Sequence, residues 1–142
     1  RHYVEGIREL LAEAGAADAV EFLGHLDGPS RHKFLASLSV MSVPTRAPEA
    51  LGMYILEAWA SGVPVVQPAH GAFVELIDAA GGGVLVAPND PGALADALAE
   101  LLSDTERARA MGRAGRQAVQ EQFNVDNMAR GVADVCRRVA GR

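Results

Sequence analysis

The sequence predicts an α/β domain: a doubly wound parallel sheet with helices on both faces, followed by a helical C-terminal segment. Three observations carry this. Short apolar, β-branched runs alternate with segments of helical period, the order that right-handed crossovers and a parallel sheet require. After Val86 the pattern becomes wholly helical. The composition, with 15 Gly and only 5% aromatic residues, suits close packing of helices on a sheet.

In chain order, Tyr3, Val4, Ile7, Leu10 and Leu11 form a helical stripe over Tyr3–Ala14, which Gly15 ends. Ala19–Leu23 alternates as a short strand that stops at Gly24. Pro29-Ser30 opens a second helix through about Leu38, with Phe34, Leu35 and Leu38 inward. Val40–Val43 is a second strand, closed by Pro44. Helix is expected over Gly52–Ser61, strand over Val63–Val66, helix over Phe73–Ala79 and strand over Val84–Val86. Asp90 is a good N-cap, with Pro91 at the first helical position and Leu94, Leu98, Leu101 and Leu102 at helical spacing. Ser103-Asp104-Thr105-Glu106 reads as a capping box. Asn124 caps a last helix whose apolar stripe is Met128, Val132, Val135 and Val139.

The 142 residues, 49% hydrophobic and 22% charged, are enough for one globular domain with its own core. A net charge of −5 offers no footprint for nucleic acid or an anionic membrane. The single cysteine, Cys136, excludes an internal disulfide framework and fits a reducing compartment, so a cytoplasmic location is expected. The apolar run from Ala50 to Ala69 is interrupted by Glu57, Gly62 and Pro64, which is unlike a membrane span. The chain starts at Arg1, directly in an amphipathic pattern, and so reads as part of a longer protein.

In a parallel α/β sheet, ligands bind beyond the carboxyl ends of the strands. That rule places His25-Leu26, Glu49–Gly52, His70-Gly71 and Asn89-Asp90 on one edge. Glu57 is the only formally charged residue between Glu49 and Glu75. A carboxylate buried among Ile, Leu, Ala and Trp needs a partner, because desolvating it is costly. A hydroxyl-rich ligand shared with Glu49 supplies one; an Arg in the core, such as Arg46, is the plainer reading. Gly52 and Met53 begin the helix that carries Glu57, and a helix start is a seat for phosphate. The plain reading of Gly52 is that it only lets the chain turn. Paired carboxylates also suggest glycoside hydrolysis, but that reaction needs no phosphate seat.

Gly71 precedes another helix, so its neighbouring N–H groups also face the ligand edge. His70 is either a ligand contact or a solvated loop residue. The four histidines lack metal-ligand spacing, and no CxxC or HExxH is present. Gly81-Gly82-Gly83 reads as a tight turn, Cys136 as packed or idle, and Arg107, Arg109, Arg113 and Arg116 as a solvated helix face.

The run Pro44-Thr45-x-x-x-Glu49-x-x-Gly52-x-x-x-x-Glu57-Ala58-x-Ala60-x-Gly62-x-Pro64-Val65-Val66 resembles the signature of retaining family 4 glycosyltransferases. Gly71-x-x-x-Glu75-Leu76-Ile77 and Gly83-x-Leu85-Val86-x-Pro88-x-Asp90-x-x-x-Leu94-Ala95 follow it, and Val20-x-Phe22-x-Gly24 precedes it. The resemblance covers nearly the whole chain. It implies a GT-B fold of two Rossmann-like domains, with residues 1–142 as the C-terminal, nucleotide-sugar-binding one. By position it makes Glu49 the catalytic acid that meets the hydroxyls of the transferred sugar, and Leu51, Gly52 and Met53 the backbone N–H contacts to sugar and phosphate. It gives Glu57 the ribose hydroxyls, and His25 and Leu26 the base-contacting loop. The family's basic, glycine-rich diphosphate segment and the first strand of the domain are expected ahead of residue 1. Two positions depart from the pattern: Leu51 stands where Phe is frequent, and His70-Gly71 stands for a paired glycine.

The resemblance thus implies a donor-binding domain for retaining transfer from a nucleotide-diphosphate sugar, with no metal and no further cofactor. Its partners are the nucleotide-sugar donor and an N-terminal acceptor domain, which would carry any peripheral membrane association; nucleic acid is not among them. The rivals are a nucleotide-sugar epimerase half-domain and a non-catalytic domain of the same fold. Without its other half the chain is expected to be inactive and to self-associate through the uncovered last helix.

Overall fold

A computed structural model describes residues 2–141. Two compact units are distinguished, Arg1–Arg31 and His32–Arg142. The first holds helix α1 (His2–Glu13), a single 3-10 turn (Ala17–Ala19) and an extended stretch. Gly15 leaves α1 with a positive φ of 65°. Within this unit the Arg8 guanidinium lies over the Phe22 ring, 4.2 Å from its centroid. The predicted strand at Ala19–Leu23 is not a strand: Ala19 ends the 3-10 turn, and residues 20–26 have no ladder. Alternation marks a backbone able to pair, but a strand exists only where a second one supplies its hydrogen bonds.

Helix α2 (Gly28–Ser37) starts at Gly28, where the Asp27 carboxylate accepts from Ser30 N–H at 2.9 Å. Of its predicted inner face Leu35 is buried and Leu38 partly so, whereas Phe34 is exposed. The second unit then runs α3 (Met53–Ala60), β1 (Val65–Pro68), α4 (Ala72–Ala80), β2 (Gly83–Val86), α5 (Pro91–Ser103), α6 (Thr105–Glu121) and α7 (Val125–Ala140). Strands β1 and β2 pair in parallel, Val65 with Gly83 through Pro68 with Val86, and α4 makes the crossover. The predicted strand at Val40–Val43 contracts to one parallel bridge, Met41 to Val65. Met41 N–H donates to Pro64 O at 2.9 Å and Met41 O accepts from Val66 N–H at 3.0 Å. The ladder stops there because the next N–H, that of Val43, goes to the Gln67 side chain (Oε1, 3.2 Å).

Successive side chains of β1 point to opposite faces. Val65 joins the core with Ile55, Ala58, Trp59, Phe73, Leu76 and Ile77, while Val66 is equally buried outside that cluster. Helices α3, α4 and α6 and helix α5 all pack on the two strands. The Gly81-Gly82-Gly83 run is more than a tight turn. A Cβ on Gly82 would stand 2.5 Å from Trp59 Nε1 and 2.8 Å from Gly115 Cα, so bare backbone is required where α6 crosses the start of β2. Trp59 Nε1 donates to Gly82 O at 2.9 Å through the same gap.

The helix caps follow local chemistry. Asp90 accepts from Ala93 N–H and Asn124 from Asn127 N–H, each at 2.9 Å, as their sequence positions predict. Ser103 does not cap α6. It ends α5, and Asp104 takes the cap by accepting from Arg107 N–H at 2.9 Å. A carboxylate beside a helix start outcompetes a hydroxyl whose proton is already donated to Glu100 O. On α6, Arg109, Arg113 and Arg116 are exposed, while Arg107 is half-buried and pairs with Glu100. Cys136 is exposed, not packed. No helix among the described residues is long and apolar enough to cross a membrane.

Candidate functional site

Gly52 holds a left-handed conformation (φ 70°, ψ 41°) immediately before α3. Its absent side chain matters less for space than for backbone, since a Cβ there would meet Leu76 and Phe73 at ordinary distances of 3.4–3.5 Å. A side chain in that conformation is strained. No side chain caps α3. The first-turn N–H groups of a helix have no partners within it, and the macrodipole adds a partial positive charge. Of the three residues expected to meet sugar and phosphate, Gly52 is buried, while Leu51 and Met53 expose their side chains.

Glu49 reaches back over this helix start. Its Oε1 accepts from Ala50 N–H at 2.9 Å and Leu51 N–H at 3.2 Å, and its Oε2 accepts from the Tyr54 hydroxyl at 3.1 Å. Those bonds, the Leu51 N–H foremost and the Tyr54 hydroxyl next, hold its carboxyl below the usual carboxylate range. Burial, reinforced by the Glu49 bond and charge, pushes Tyr54 up to about 12. The Leu51 N–H expected to meet a ligand is therefore engaged by Glu49 itself.

Glu57 departs from expectation. It lies just over one turn into α3 but is half-buried rather than enclosed, because successive residues of a helix turn by roughly 100°: Ala58 and Trp59 face the core while Ala60 faces solvent. Its main-chain carbonyl accepts from Ser61 N–H and Ser61 Oγ at the helix end.

Gly71 brings α4 against the Glu49 loop. Its φ is 54°, and a Cβ would lie 2.4 Å from Glu49 O and 2.7 Å from Glu49 N. Ala72 N–H donates to that same carbonyl at 2.9 Å. The start of α4 is thus partly spent on protein backbone, which narrows the ligand-facing role expected of Gly71. His70, just before it, is a structural contact: Nε2 donates to Thr45 O at 2.9 Å. Sequence reading missed Tyr54 and Gln67. Gln67 is fully buried, and its Oε1 takes the Val43 N–H. An isolated amide in an apolar strand was the available signal for the second.

Of the four loops expected on one edge, the His25-Leu26 loop follows no strand; those after Met41, β1 and β2 meet at one end of the sheet. They enclose a cavity of ≈ 480 Å³ lined by Pro44, Thr45, Arg46, Pro68, Val86 and Asn89 among others. Asn89 is the one non-glycine residue of positive φ (59°) among those described. Asn89 and Asp90, expected on the ligand edge, line this cavity; Glu49, Leu51, Gly52, Met53, Glu57 and Gly71 do not. His25 is exposed and Leu26 half-buried, in the extended stretch of the first unit. Among the described residues no group of three or more His, Cys, Asp or Glu is placed to hold a metal.

The model of the family described as "Glycosyl transferases group 1" matches residues 2–118. The GDP-mannose-dependent alpha-(1-6)-phosphatidylinositol monomannoside mannosyltransferase of Mycobacterium tuberculosis is 39% identical over 141 residues, 95% of this chain and 37% of the relative. The lipopolysaccharide core biosynthesis mannosyltransferase LpsB of Rhizobium meliloti is 35% identical over 134 residues, 91% of this chain and 36% of the relative. Among solved structures, sucrose-phosphate synthase from Thermosynechococcus elongatus superposes with a TM-score of 0.84 at 32% identity, covering 95% of this chain and 34% of that one. Anabaena HepE in complex with UDP gives 0.86 at 25% identity, covering 96% and 37%. This chain thus spans little more than a third of the length of the curated relatives it matches.

Proposed function

The chain belongs to the group 1 glycosyl transferases and has the fold of a GT-B half; from that premise we propose that it is the donor-binding domain of a retaining, family 4 glycosyltransferase. The observation that carries this is the open start of α3, uncapped at a left-handed Gly52, with the Glu49 carboxylate held beside it and Glu57 on the same helix. A diphosphate seated there meets N–H groups and the positive end of the dipole. The same groups stabilise charge developing on the leaving diphosphate, with no metal required.

In this reading the donor hydroxyls draw the Glu49 carboxylate away from Leu51 N–H, which is thereby released to the ligand. Glu57 accepts from the ribose hydroxyls, the backbone at Leu51, Gly52 and Met53 meets sugar and phosphate, and His25 and Leu26 lie in the base-contacting loop. Acceptor contacts come from a partner domain outside these residues, so this chain alone is inactive. Because two relatives are named as mannosyltransferases, GDP-mannose is the first donor to test, with UDP-sugars beside it.

Calorimetry with GDP and UDP on the full-length protein tests the assignment. Glu57→Ala should weaken nucleotide binding by about 1.5–3 kcal/mol, the scale of hydrogen bonds to a charged group. Unchanged affinity in a folded variant would remove Glu57 from the site. Product analysis separates transfer from epimerisation, and absence of nucleotide binding by wild type would leave a non-catalytic domain.

A further inference from the structure

We propose that His70 is a positioning residue for Glu49; this rests on the donor-domain reading, in which Glu49 meets the transferred sugar. Two routes connect them. Along the backbone, His70 Nε2 donates to Thr45 O at 2.9 Å and Ala72 N–H donates to Glu49 O at 2.9 Å. The start of α4 therefore pins both ends of the Thr45–Glu49 segment. Through side chains, the His70 ring stacks on the fully buried Phe73 (centroids 5.5 Å apart, planes at 29°). Phe73 meets Tyr54 edge-on at 6.2 Å, and the Tyr54 hydroxyl holds Glu49 Oε2 at 3.1 Å. The two routes form a closed loop through Glu49, one arriving at its main-chain carbonyl and the other at its carboxylate.

The acceptor of the His70 imidazole is a carbonyl, so Nε2 carries a proton, and in the neutral tautomer Nδ1 is the bare nitrogen. Nδ1 is buried and has no hydrogen-bond partner among the described residues. A position chosen for packing alone would avoid that uncompensated desolvation with an apolar ring. A donor set at a fixed distance from Thr45 is what a phenyl ring cannot supply.

The test uses the full-length protein with three variants. His70→Phe keeps the stack and loses the donor, His70→Gln keeps a donor of similar reach, and His70→Ala removes both. In His70→Phe and His70→Ala, kcat should fall about tenfold or more, the scale of small misplacements at a reacting centre. GDP or UDP affinity should stay unchanged, and His70→Gln should recover most of the turnover. The variant combining Glu49→Gln and His70→Ala should be no slower than Glu49→Gln alone, because His70 acts through Glu49. Multiplying losses in that pair, or a His70→Phe enzyme with normal kcat, would overturn the proposal while leaving the donor reading intact. Wild-type protein that binds neither nucleotide would overturn the donor reading and this inference with it. If His70→Ala fails to fold, the contrast between His70→Phe and His70→Gln decides.

Discussion

The Tyr54 hydroxyl donates to Glu49 Oε2 at 3.1 Å across the first turn of α3, tying the loop acid to the helix it precedes. A phenol on the second residue of the helix thereby orients a carboxylate that lies before its cap. Each group shifts the other in the direction that keeps the bond, with Glu49 held ionised and Tyr54 held neutral.

The pH dependence follows from those directions. Glu49 titrates below its ordinary 4.5, so its contribution to stability is present above that value and lost as pH falls through the lower, folded one. Tyr54 is pushed up from 10.0 to about 12, so its contribution is intact below 10.0 and lost as pH rises toward 12. Tyrosinate absorbance should show a step near 12 that Tyr54→Phe removes. In the same variant the NMR titration of Glu49 should move back toward 4.5. A Tyr54 step at 10.0 would contradict the bond.

Glu49→Gln in the full-length enzyme should damage turnover more than nucleotide binding. An acid that touches only the reacting sugar can favour the transition state over the ground state. Steady-state kinetics with normal kcat and only a raised KM would place Glu49 in uniform binding.

Two glycines on helices should respond oppositely to a methyl group. A Cβ at Gly115 would lie 2.4 Å from Trp59 Cδ1, so Gly115→Ala should destabilise by about 1–3 kcal/mol through overpacking. Gly131 on α7 has nothing within 4 Å, so Gly131→Ala should stabilise by about 0.5–1 kcal/mol through helix propensity. Urea unfolding of this chain measures both, and equal shifts would mean that α6 is not seated on Trp59.

The stripe on α7 should drive association of this chain. Met128, Val132, Val135 and Val139 are 63%, 59%, 50% and 69% exposed along one helix. An apolar stripe left in water favours a second copy, by docking or by exchange of the helix. Light scattering should show mass rising with concentration, and Val132→Asp with Val135→Asp should abolish the rise. A wild-type monomer at high concentration would count against it.

Much of this protein was legible from order alone. Asp90 with Pro91, and Asn124, start helices where the sequence places them because a cap is settled within one turn. The Gly52 helix, the strand–helix–strand order around α4 and the α7 stripe were legible for the same reason: periodicity and turn chemistry are short-range. Strand β1 nonetheless formed at Val65–Pro68 and not at the expected Val63–Val66. Only the tertiary structure decided the rest. The Ala19–Leu23 strand and all but one bridge of Val40–Val43 did not form, since pairing depends on a neighbour that no local pattern contains. Glu57 proved half-buried because the direction α3 turns its faces is set by what α3 packs against. The Gly82–Trp59–Gly115 contact and the His70–Thr45 bond join residues far apart in the chain. Their partners become neighbours only when helices and loops pack on the sheet, and contacts of that kind leave no spacing to read.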